Sequence, residues 1–372
     1  MFFSPSRIGS VFLAFTLTLY TTVSATVPDE RLICRIASHA TAEIDDSAAP
    51  SPLSTRVIAV ADIHGANDEL MHILGGAGII NTEIAASTGI CEWAPQPEGG
   101  TTLIQMGDVV DRGPGASEAW ECLERLQRTA PPGSDVIRLV GNHELWWLEG
   151  RYHDRNKMED TQEKCLNITQ KLRSGIEDGS ITSSHVRHIG GVPVLFVHAG
   201  FRHDMIEFMK KKYSIAGTAE ELSAVTNEAL REVVTSQHEA HTVVLPRGRD
   251  EEIFEAGPER GGRNIGGPFW TDFRVLQKEF ESSAHPRPEM MQIVGHTAQA
   301  GSFRSNGDLS ALCIDAAMYT GTSTYMEVGY DHHFRLHIWN EAHPENDGWW
   351  TTDVTEVKCA IAAPTVPSVK EL

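Results

Sequence analysis

Five short apolar runs in this sequence each end in a cluster of polar residues. The clusters are DIHG (62–65), GDVVDRG (107–113), GNHE (141–144), HAG (198–200) and GHT (295–297). The preceding runs have the length and the β-branched content of buried strands. Because the loops at the carboxyl ends of strands in an α/β sheet converge on one crevice, we expect the five clusters to lie together.

Helical patterns separate the first three of these strands. The run NDELMHILGGAG is typical of a helix that ends in glycines, and PGASEAWECLERLQR of a helix with Pro114 near its start. Strands that alternate with helices indicate an α/β domain. Thr218 and Glu221 have the spacing of a capping box that opens a helix to about His238. The charged, glycine-rich segment 242–268 is predicted to be a long loop, and such loops often carry function.

The ends of the chain predict a processed, secreted protein. Arg7 precedes an uncharged apolar run, residues 8–20, and small side chains suit cleavage after Ala25. An uncleaved membrane anchor is the alternative, but the run is short for a span and polar residues follow it. We expect an extracellular or lumenal protein with no membrane attachment after cleavage. The expected segments are a signal peptide (1–25), a leader (26–55), a single main domain (56–345) and a C-terminal tail (346–372).

The cysteines fit an oxidising compartment. Six follow the predicted signal peptide: Cys34, Cys91, Cys122, Cys165, Cys313 and Cys359. This even number predicts up to three disulfides, with the pairing left open. Alternatively, Cys122 on an apolar helix face and Cys313 in an apolar strand are buried free thiols. Asn167 begins an acceptor sequence for N-glycosylation, Asn-Ile-Thr, so we expect a glycoprotein.

The net charge of −20 argues against nucleic acid as a natural partner. An acidic protein also repels polyanions in general. A phosphate-binding site in this chain would therefore have to supply its own local positive charge.

The polar clusters contain oxygen and nitrogen donors and no thiolate: Asp62, His64, Asp108, Asn142, His198 and His296. This set suits borderline metals such as Mn, Fe or Zn. A carboxylate such as Asp108 can bridge two ions about 3.5–4 Å apart, which together activate a bound water molecule. Two divalent ions against two aspartates leave a positive centre, as a phosphate dianion requires.

Each cluster alone also has an ordinary structural interpretation. A lone histidine after a strand is more often a structural residue, and an Asp-x-x-Asp pattern is usually a turn. GNHE alone could be a helix start, with Asn142 as the cap and Glu144 in the first turn. Five such clusters in order are hard to reach by chance, so we favour the metal centre.

The order and spelling of the clusters resemble the calcineurin-like metallophosphoesterases. GDxxDRG followed by GNHE is the form of the phosphoprotein phosphatase branch. The HAG cluster is similar to its bacterial-type members, the Shewanella-like phosphatases and the diadenosine-tetraphosphate-hydrolase-like phosphatases. The resemblance covers roughly residues 57–340. It implies an α/β protein with a four-layer α/β/β/α metallophosphoesterase fold, in which a central two-sheet β-sandwich holds the metals at one edge.

The resemblance also implies a role for each metal ligand. Asp62, His64 and Asp108 would hold the first ion, and Asp108, Asn142, His198 and His296 the second. The implied cofactors are two divalent or mixed-valence metal ions, with manganese, iron and zinc as the candidates.

The remaining roles concern proton transfer and phosphate binding. His143 would protonate the leaving oxygen with Asp111 as its carboxylate partner, and Arg112 would bind the phosphate. A second phosphate arginine is expected between the last two metal histidines. Arg274 in GGPFWTDFR is the assigned residue, and Arg263 is the alternative. Asp315 matches a further family position and is interpreted as structural support.

The expected function is that of a secreted dinuclear-metal-dependent phosphatase acting on phosphomonoesters, including phosphoserine, phosphothreonine or phosphotyrosine in proteins. A hydrolase of dinucleoside polyphosphates or other small phosphoanhydrides is the alternative within enzymes. A non-catalytic protein that binds a phosphorylated ligand is the alternative outside them. The expected partner is thus a phosphorylated protein or small phosphoester, with the oligomeric state left open.

Overall fold

Two β-sheets form the centre of the fold in this computed structural model. The structure describes residues 55–152, 162–247, 252–263, 265–282, 289–299, 304–305, 310–339 and 349–354. One sheet has the strand order β12-β11-β10-β1-β2-β3-β4, and the other has the order β5-β6-β7-β9-β8. The strands are β1 (Arg56–Val60), β2 (Thr101–Gln105), β3 (Asp135–Leu139), β4 (Ile181–Thr182), β5 (Ser184–Ile189), β6 (Val192–Val197), β7 (Met291–Val294), β8 (Arg304–Ser305), β9 (Ala311–Cys313), β10 (Thr324–Val328), β11 (Phe334–Trp339) and β12 (Trp349–Asp353).

Each strand that carries a polar cluster has at least one parallel neighbour. β1, β2, β3 and β4 pair in parallel in the first sheet, as do β6, β7 and β9 in the second. Successive side chains of β1 enter two different cores. Val57 and Ala59 join residues of the second sheet, whereas Ile58 and Val60 face the helices. The two sheets therefore pack face to face, each with helices on its outer side.

The described residues form eight α-helices. They are α1 (Asn67–Gly76), α2 (Thr82–Thr88), α3 (Ala116–Arg128), α4 (Asn142–Leu148), α5 (Gln162–Asp178), α6 (His203–Tyr213), α7 (Ala219–Thr235) and α8 (Phe273–Glu281). Apolar faces of these helices, such as Leu123 and Leu126 in α3, cover the outer sides of the sheets. The predicted α/β/β/α layering with a central two-sheet sandwich is confirmed.

The predicted capping box is present at the start of α7. The Thr218 hydroxyl accepts a hydrogen bond from the Glu221 amide at 3.3 Å, and the Glu221 carboxylate accepts from the Thr218 amide at 3.1 Å. The helix ends at Thr235, three residues before the predicted end at His238.

The structure corrects one expectation about the cysteines. Cys91 and Cys122 form a disulfide, with their Cα atoms 5.2 Å apart, so the prediction of a free thiol at Cys122 is wrong. The cause is tertiary, because the segment after α2 brings Cys91 against the face of α3 that carries Cys122. Cys313 is a buried free thiol as predicted, and Cys165 is also buried. Cys34 and Cys359 lie outside the described residues.

The described residues also bear on the ends of the chain. The predicted signal peptide and all of the leader except Thr55 lie outside them. β12 lies within the segment that the sequence analysis assigns to the tail, where it pairs with β11. Among the described helices, none is both long enough and apolar enough to cross a bilayer.

Asn167 is exposed on α5, whereas Thr169 of the same acceptor sequence is buried and donates to the Cys165 carbonyl.

Candidate metal centre

The polar clusters occupy loops with an unusual backbone conformation. Eight described residues other than glycine have a positive φ, and five of them belong to these clusters: His64 (50°), Asp108 (54°), Asp111 (68°), Arg112 (65°) and His296 (63°). Residues other than glycine rarely adopt this left-handed backbone conformation, because it is strained. Strained backbone of this kind concentrates at functional sites. The backbone conformation of these loops therefore serves to orient their side chains, and not simply to connect the strands.

Backbone hydrogen bonds join the first two clusters directly. The amides of Ile63 and His64 donate to the Asp108 carbonyl at 3.0 and 2.8 Å, and the Gly113 amide donates to the His64 carbonyl at 2.7 Å. A Cβ atom at Gly141 would lie 2.1 Å from the Asp108 carboxylate. Only glycine permits this close approach of the third cluster to the second.

Asp108 lies at the centre of the assembled clusters. Its Oδ1 accepts a hydrogen bond from the His143 amide at 2.9 Å. Its Oδ2 lies 3.6 Å from Nε2 of His64, 3.5 Å from Nε2 of His198 and 3.9 Å from Nε2 of His143. These separations exceed a hydrogen bond, so one carboxylate oxygen faces a gap that three imidazoles surround.

The remaining predicted ligands adjoin this gap. Oδ2 of Asp62 lies 3.8 Å from Nε2 of His64, and Oδ1 of Asn142 lies 3.0 Å from Nε2 of His198. Nδ1 of His296 lies 3.1 Å from the same His198 nitrogen. The structure thus brings all six predicted ligands together. Two groups have ligand atoms close enough to share an ion, His64–Asp108–His143 and Asp108–His198–His296, and Asp108 belongs to both.

The protonation of the histidines suits metal ligands. Nδ1 of His64 donates to the Val110 carbonyl at 3.0 Å, and Nδ1 of His198 donates to the Met106 carbonyl at 2.9 Å. A carbonyl only accepts, so each Nε2 presents a lone pair to the gap. Burial lowers the pKa of His64 to about 3 and also lowers the pKa of His198 and His296, which keeps all three rings neutral.

The side chains around the gap at Asp108 fit cations because several hydrogen-bond acceptors face one another there. Nε2 of neutral His198 and Oδ1 of Asn142 are both acceptors, yet they lie 3.0 Å apart. Nε2 of His296 is buried without a hydrogen-bond partner among the described residues. Burial and the neighbouring Asp315 and Asp108 carboxylates raise the pKa of Asp62 well above its usual range. Cations would relieve each of these conflicts, so the residues fit two divalent ions.

His143 is oriented by two buried residues. Its Nδ1 lies 2.6 Å from Oδ2 of Asp111, and Oδ1 of Asp111 accepts from the Trp147 indole at 2.8 Å. Burial lowers the pKa of His143, but the Asp108 and Asp111 carboxylates outweigh it and raise the pKa above its ordinary value. Sequence reasoning missed Trp147, although it follows His143 by four residues on a helix and therefore shares its face.

Glu144 has a larger role than the first-turn residue considered from the sequence. Its buried carboxylate accepts hydrogen bonds from the amides of Asp108 (2.7 Å), Val109 (2.8 Å), Val110 (3.3 Å) and Gly141 (2.8 Å). Burial and the nearby Asp108 raise the pKa of Glu144 to about 7. Glu144, the last residue of GNHE, thus joins the second cluster to the third.

The arginines differ from the sequence assignment. Both Nε and Nη2 of Arg274 donate to the Asp272 carboxylate, at 2.9 and 2.8 Å, and its side chain is 64% exposed. Nη2 of Arg260 instead lies 3.3 Å from the Thr297 hydroxyl and 3.1 Å from Asp272. Because Thr297 follows His296 directly, the structure brings Arg260, and not Arg274, to the metal centre. The available signal was position, since Arg260 lies in the glycine-rich loop between the last two histidines.

Two other predicted residues frame the centre. The exposed Arg112 guanidinium lies over the Tyr319 ring, 4.8 Å from its centroid. The Asp315 carboxylate accepts a hydrogen bond from the Ala317 amide at 2.9 Å, which stabilises the turn that leads to Tyr319. The alternative arginine, Arg263, is exposed.

Comparison with known proteins identifies the family. The sequence model of the calcineurin-like phosphoesterases matches residues 55–258, which is more than half of the chain. The chain therefore belongs to the calcineurin-like phosphoesterase family, and the resemblance to this superfamily is confirmed.

Individual relatives agree with the branch suggested by the clusters. Shewanella-like protein phosphatase 2 of Arabidopsis thaliana is 31% identical over 130 residues, which are 33% of this chain and 31% of that protein. An uncharacterized protein of Schizosaccharomyces pombe is 36% identical over 97 residues, covering 26% of this chain and 27% of its own. The matched regions thus span about a third or less of these relatives.

A solved structure supports the fold. The cold-active protein-tyrosine phosphatase of a psychrophilic Shewanella species superposes with a TM-score of 0.50 at 18% identity, over 80% of each chain. A second structure of a cold-active protein tyrosine phosphatase gives 0.50 at 19% identity, over 80% of this chain and 78% of its own. At this identity the likeness concerns the fold alone.

Proposed function

We propose that this protein is a metal-dependent phosphatase that hydrolyses phosphomonoesters. The observation that carries the proposal is the position of Asp108, whose Oδ2 is shared by two groups of potential ligands and surrounded by three imidazole nitrogens. When bound, two metal ions would supply an activated water molecule and stabilise charge on the phosphoryl group. Asp62, His64, Asp108, Asn142, His198 and His296 would hold them.

His143 supplies the proton for the leaving oxygen. Asp111 holds Nδ1, which leaves Nε2 on the side that faces Asp108, at 3.9 Å. The raised pKa of His143, despite burial, favours its protonated form near neutral pH. Trp147 fixes Asp111, so the imidazole keeps one orientation during the reaction.

Arg112 and Arg260 bind the phosphoryl oxygens. Arg112 belongs to the second cluster, and Arg260 reaches Thr297 in the fifth. A guanidinium offers paired donors that match phosphate oxygens. The two arginines also supply local positive charge, which an acidic protein requires for an anionic substrate.

A phosphorylated protein is the proposed substrate. The Arabidopsis relative is named a protein phosphatase, and the Shewanella structures are described as protein tyrosine phosphatases. We propose manganese, iron or zinc as the metals, because the ligands are oxygen and nitrogen atoms. The Cys91–Cys122 disulfide and the apolar N-terminal run support secretion, and the exposed Asn167 supports glycosylation.

Elemental analysis and turnover assays on the same preparation test the proposal. We expect about two transition-metal ions per chain. Activity on phosphopeptides and p-nitrophenyl phosphate should disappear after chelation and return with Mn²⁺, Fe²⁺ or Zn²⁺. Full activity in metal-free protein would contradict the mechanism, and a strong preference for diadenosine tetraphosphate would favour the phosphoanhydride alternative. Mass spectrometry of the exported protein tests cleavage after Ala25 and a glycan on Asn167.

A further inference from the structure

A cavity of about 690 Å³ lies beside the metal centre, between α4 and the segment around Arg260. Two tryptophans line its inner wall. The centroid of the Trp146 ring lies 4.7 Å from that of the His143 ring, and the centroid of the Trp270 ring lies 6.2 Å from that of the His296 ring. The two indoles are 5.1 Å apart. The cavity therefore adjoins both His143 and His296.

The cavity is also lined by arginines, although the protein is strongly acidic. Arg247 donates to both oxygens of Glu149, at 2.7 and 2.9 Å, and Arg260 contacts Asp272. Arg263 is exposed and has no ion pair or hydrogen bond with any residue in the described part of the chain. Arg263 is thus left without an ion pair among the described residues beside the active centre, although the chain has a net charge of −20 and Glu149 and Glu255 line the same cavity.

A tight turn separates Arg260 from Arg263. The Gly262 amide donates to the Gly257 carbonyl at 2.9 Å, and a Cβ atom at Gly262 would lie 1.6 Å from the Ala256 carbonyl oxygen. Glycine is thus required where the chain doubles back. Both arginines line the cavity, and Arg260, before this point, also contacts Thr297 in the centre.

We propose that this cavity is a second substrate-binding site, which recognises a leaving group that carries its own negative charge, with Arg263 as the residue that determines this preference. The inference rests on the proposed function, in which His143 protonates the leaving oxygen. The rest of the leaving group then lies on the His143 side, against the indoles of Trp146 and Trp270. The charge comes either from acidic residues beside the phosphorylated residue or from further phosphates of a nucleotide.

Two peptides test the acidic-protein source. They share the phosphorylated residue and length, and two glutamates in one replace two glutamines in the other. At low ionic strength we expect kcat/KM to favour the acidic peptide about threefold to fivefold. Arg263→Glu should reverse the preference, and Arg263→Gln should abolish it. Arg128→Glu, an equal charge change at an exposed site on α3, should leave it as in the wild type.

Diadenosine tetraphosphate and p-nitrophenyl phosphate, compared in the same variants, test the nucleotide source. A kcat/KM ratio between the two substrates of a pair that changes in Arg263→Glu but not in Arg128→Glu supports the second site. If the ratio between the two peptides changes, the negative charge comes from acidic residues; if the ratio between diadenosine tetraphosphate and p-nitrophenyl phosphate changes, it comes from further phosphates. Unchanged ratios in both pairs would overturn it. An equal loss on every substrate would also overturn it, because Arg263 would then bind the scissile phosphate. Absence of metal-dependent turnover of any substrate would instead remove the proposed function itself.

Discussion

The metal centre and the neighbouring arginines are adjacent but are held in different ways. In the centre, buried amides and carboxylates join the loops, and Glu144 alone accepts four backbone hydrogen bonds. At the arginines, Arg260 and Arg274 share the single carboxylate of Asp272 at partly exposed positions. Buried polar networks are rigid when fully satisfied, whereas exposed ion pairs contribute little to stability. The centre is thus suited to setting the chemistry, and the arginines to setting substrate affinity.

Replacing Asp108 tests the centre most severely. Asp108→Asn removes the only charge shared by both ligand groups, so we expect loss of metal and a fall in kcat/KM of about a thousandfold or more. Elemental analysis and turnover on p-nitrophenyl phosphate measure the two effects. Asp331→Asn, which changes a carboxylate paired with Arg335 far along the chain, is the control and should behave as the wild type. Retained metal and activity in Asp108→Asn would remove the basis for a bridged centre.

Replacing His143 separates proton transfer from metal binding. His143→Ala should keep its metals but lose about 10²- to 10⁴-fold in kcat, because the proton donor is absent. Trp147→Phe, which removes the hydrogen bond to Asp111 and part of a fully buried side chain, should give a smaller loss. His143 also belongs to one of the two potential ligand groups. If His143→Ala lost metal in parallel with activity, this residue would be a ligand and not the acid.

A pair of arginine variants distinguishes the contacts around Asp272. Arg260→Ala should raise KM about tenfold or more, because it removes charge-assisted hydrogen bonds to the phosphate. Arg274→Ala should change KM less than about twofold, since an exposed ion pair is lost without a substrate contact. Steady-state kinetics on one phosphopeptide measures both. A larger rise in KM for Arg274→Ala than for Arg260→Ala would restore Arg274 as the second phosphate-binding arginine.

Glu144→Gln gives the smallest expected effect on turnover but a clear effect on stability. The new amide group would place N–H donors against backbone amides, so we expect the free energy of unfolding to fall by about 2 kcal/mol. Urea titration of metal-free protein measures this change. Glu163→Gln, an exposed substitution in the first turn of α5, should leave the stability unchanged. An equally stable Glu144→Gln would show that the loops are held without this carboxylate.

The ligand set was accessible from the sequence because each ligand lies in a short cluster after a strand. The strand pattern places each cluster at a sheet edge, and the parallel pairing of β1, β2 and β3 then brings three clusters together. The proposed second phosphate arginine, Arg260, was not accessible in this way. Arg260 lies in the glycine-rich loop and Arg274 in the first turn of α8, and their spacing from the histidines does not show which one turns inward.

The sequence by itself determined the α/β class and the six converging ligand positions, because these depend on local patterns of strand and loop. The resemblance to the family implied the pairing of Asp111 with His143. Only the tertiary structure decided that Cys91 meets Cys122, that Arg260 reaches Thr297, and that Glu144 joins two loops. These contacts join residues far apart in the chain or within glycine-rich turns, where no periodic pattern specifies direction. Their geometry follows from how the layers pack, which is why it appears only once the whole chain is folded.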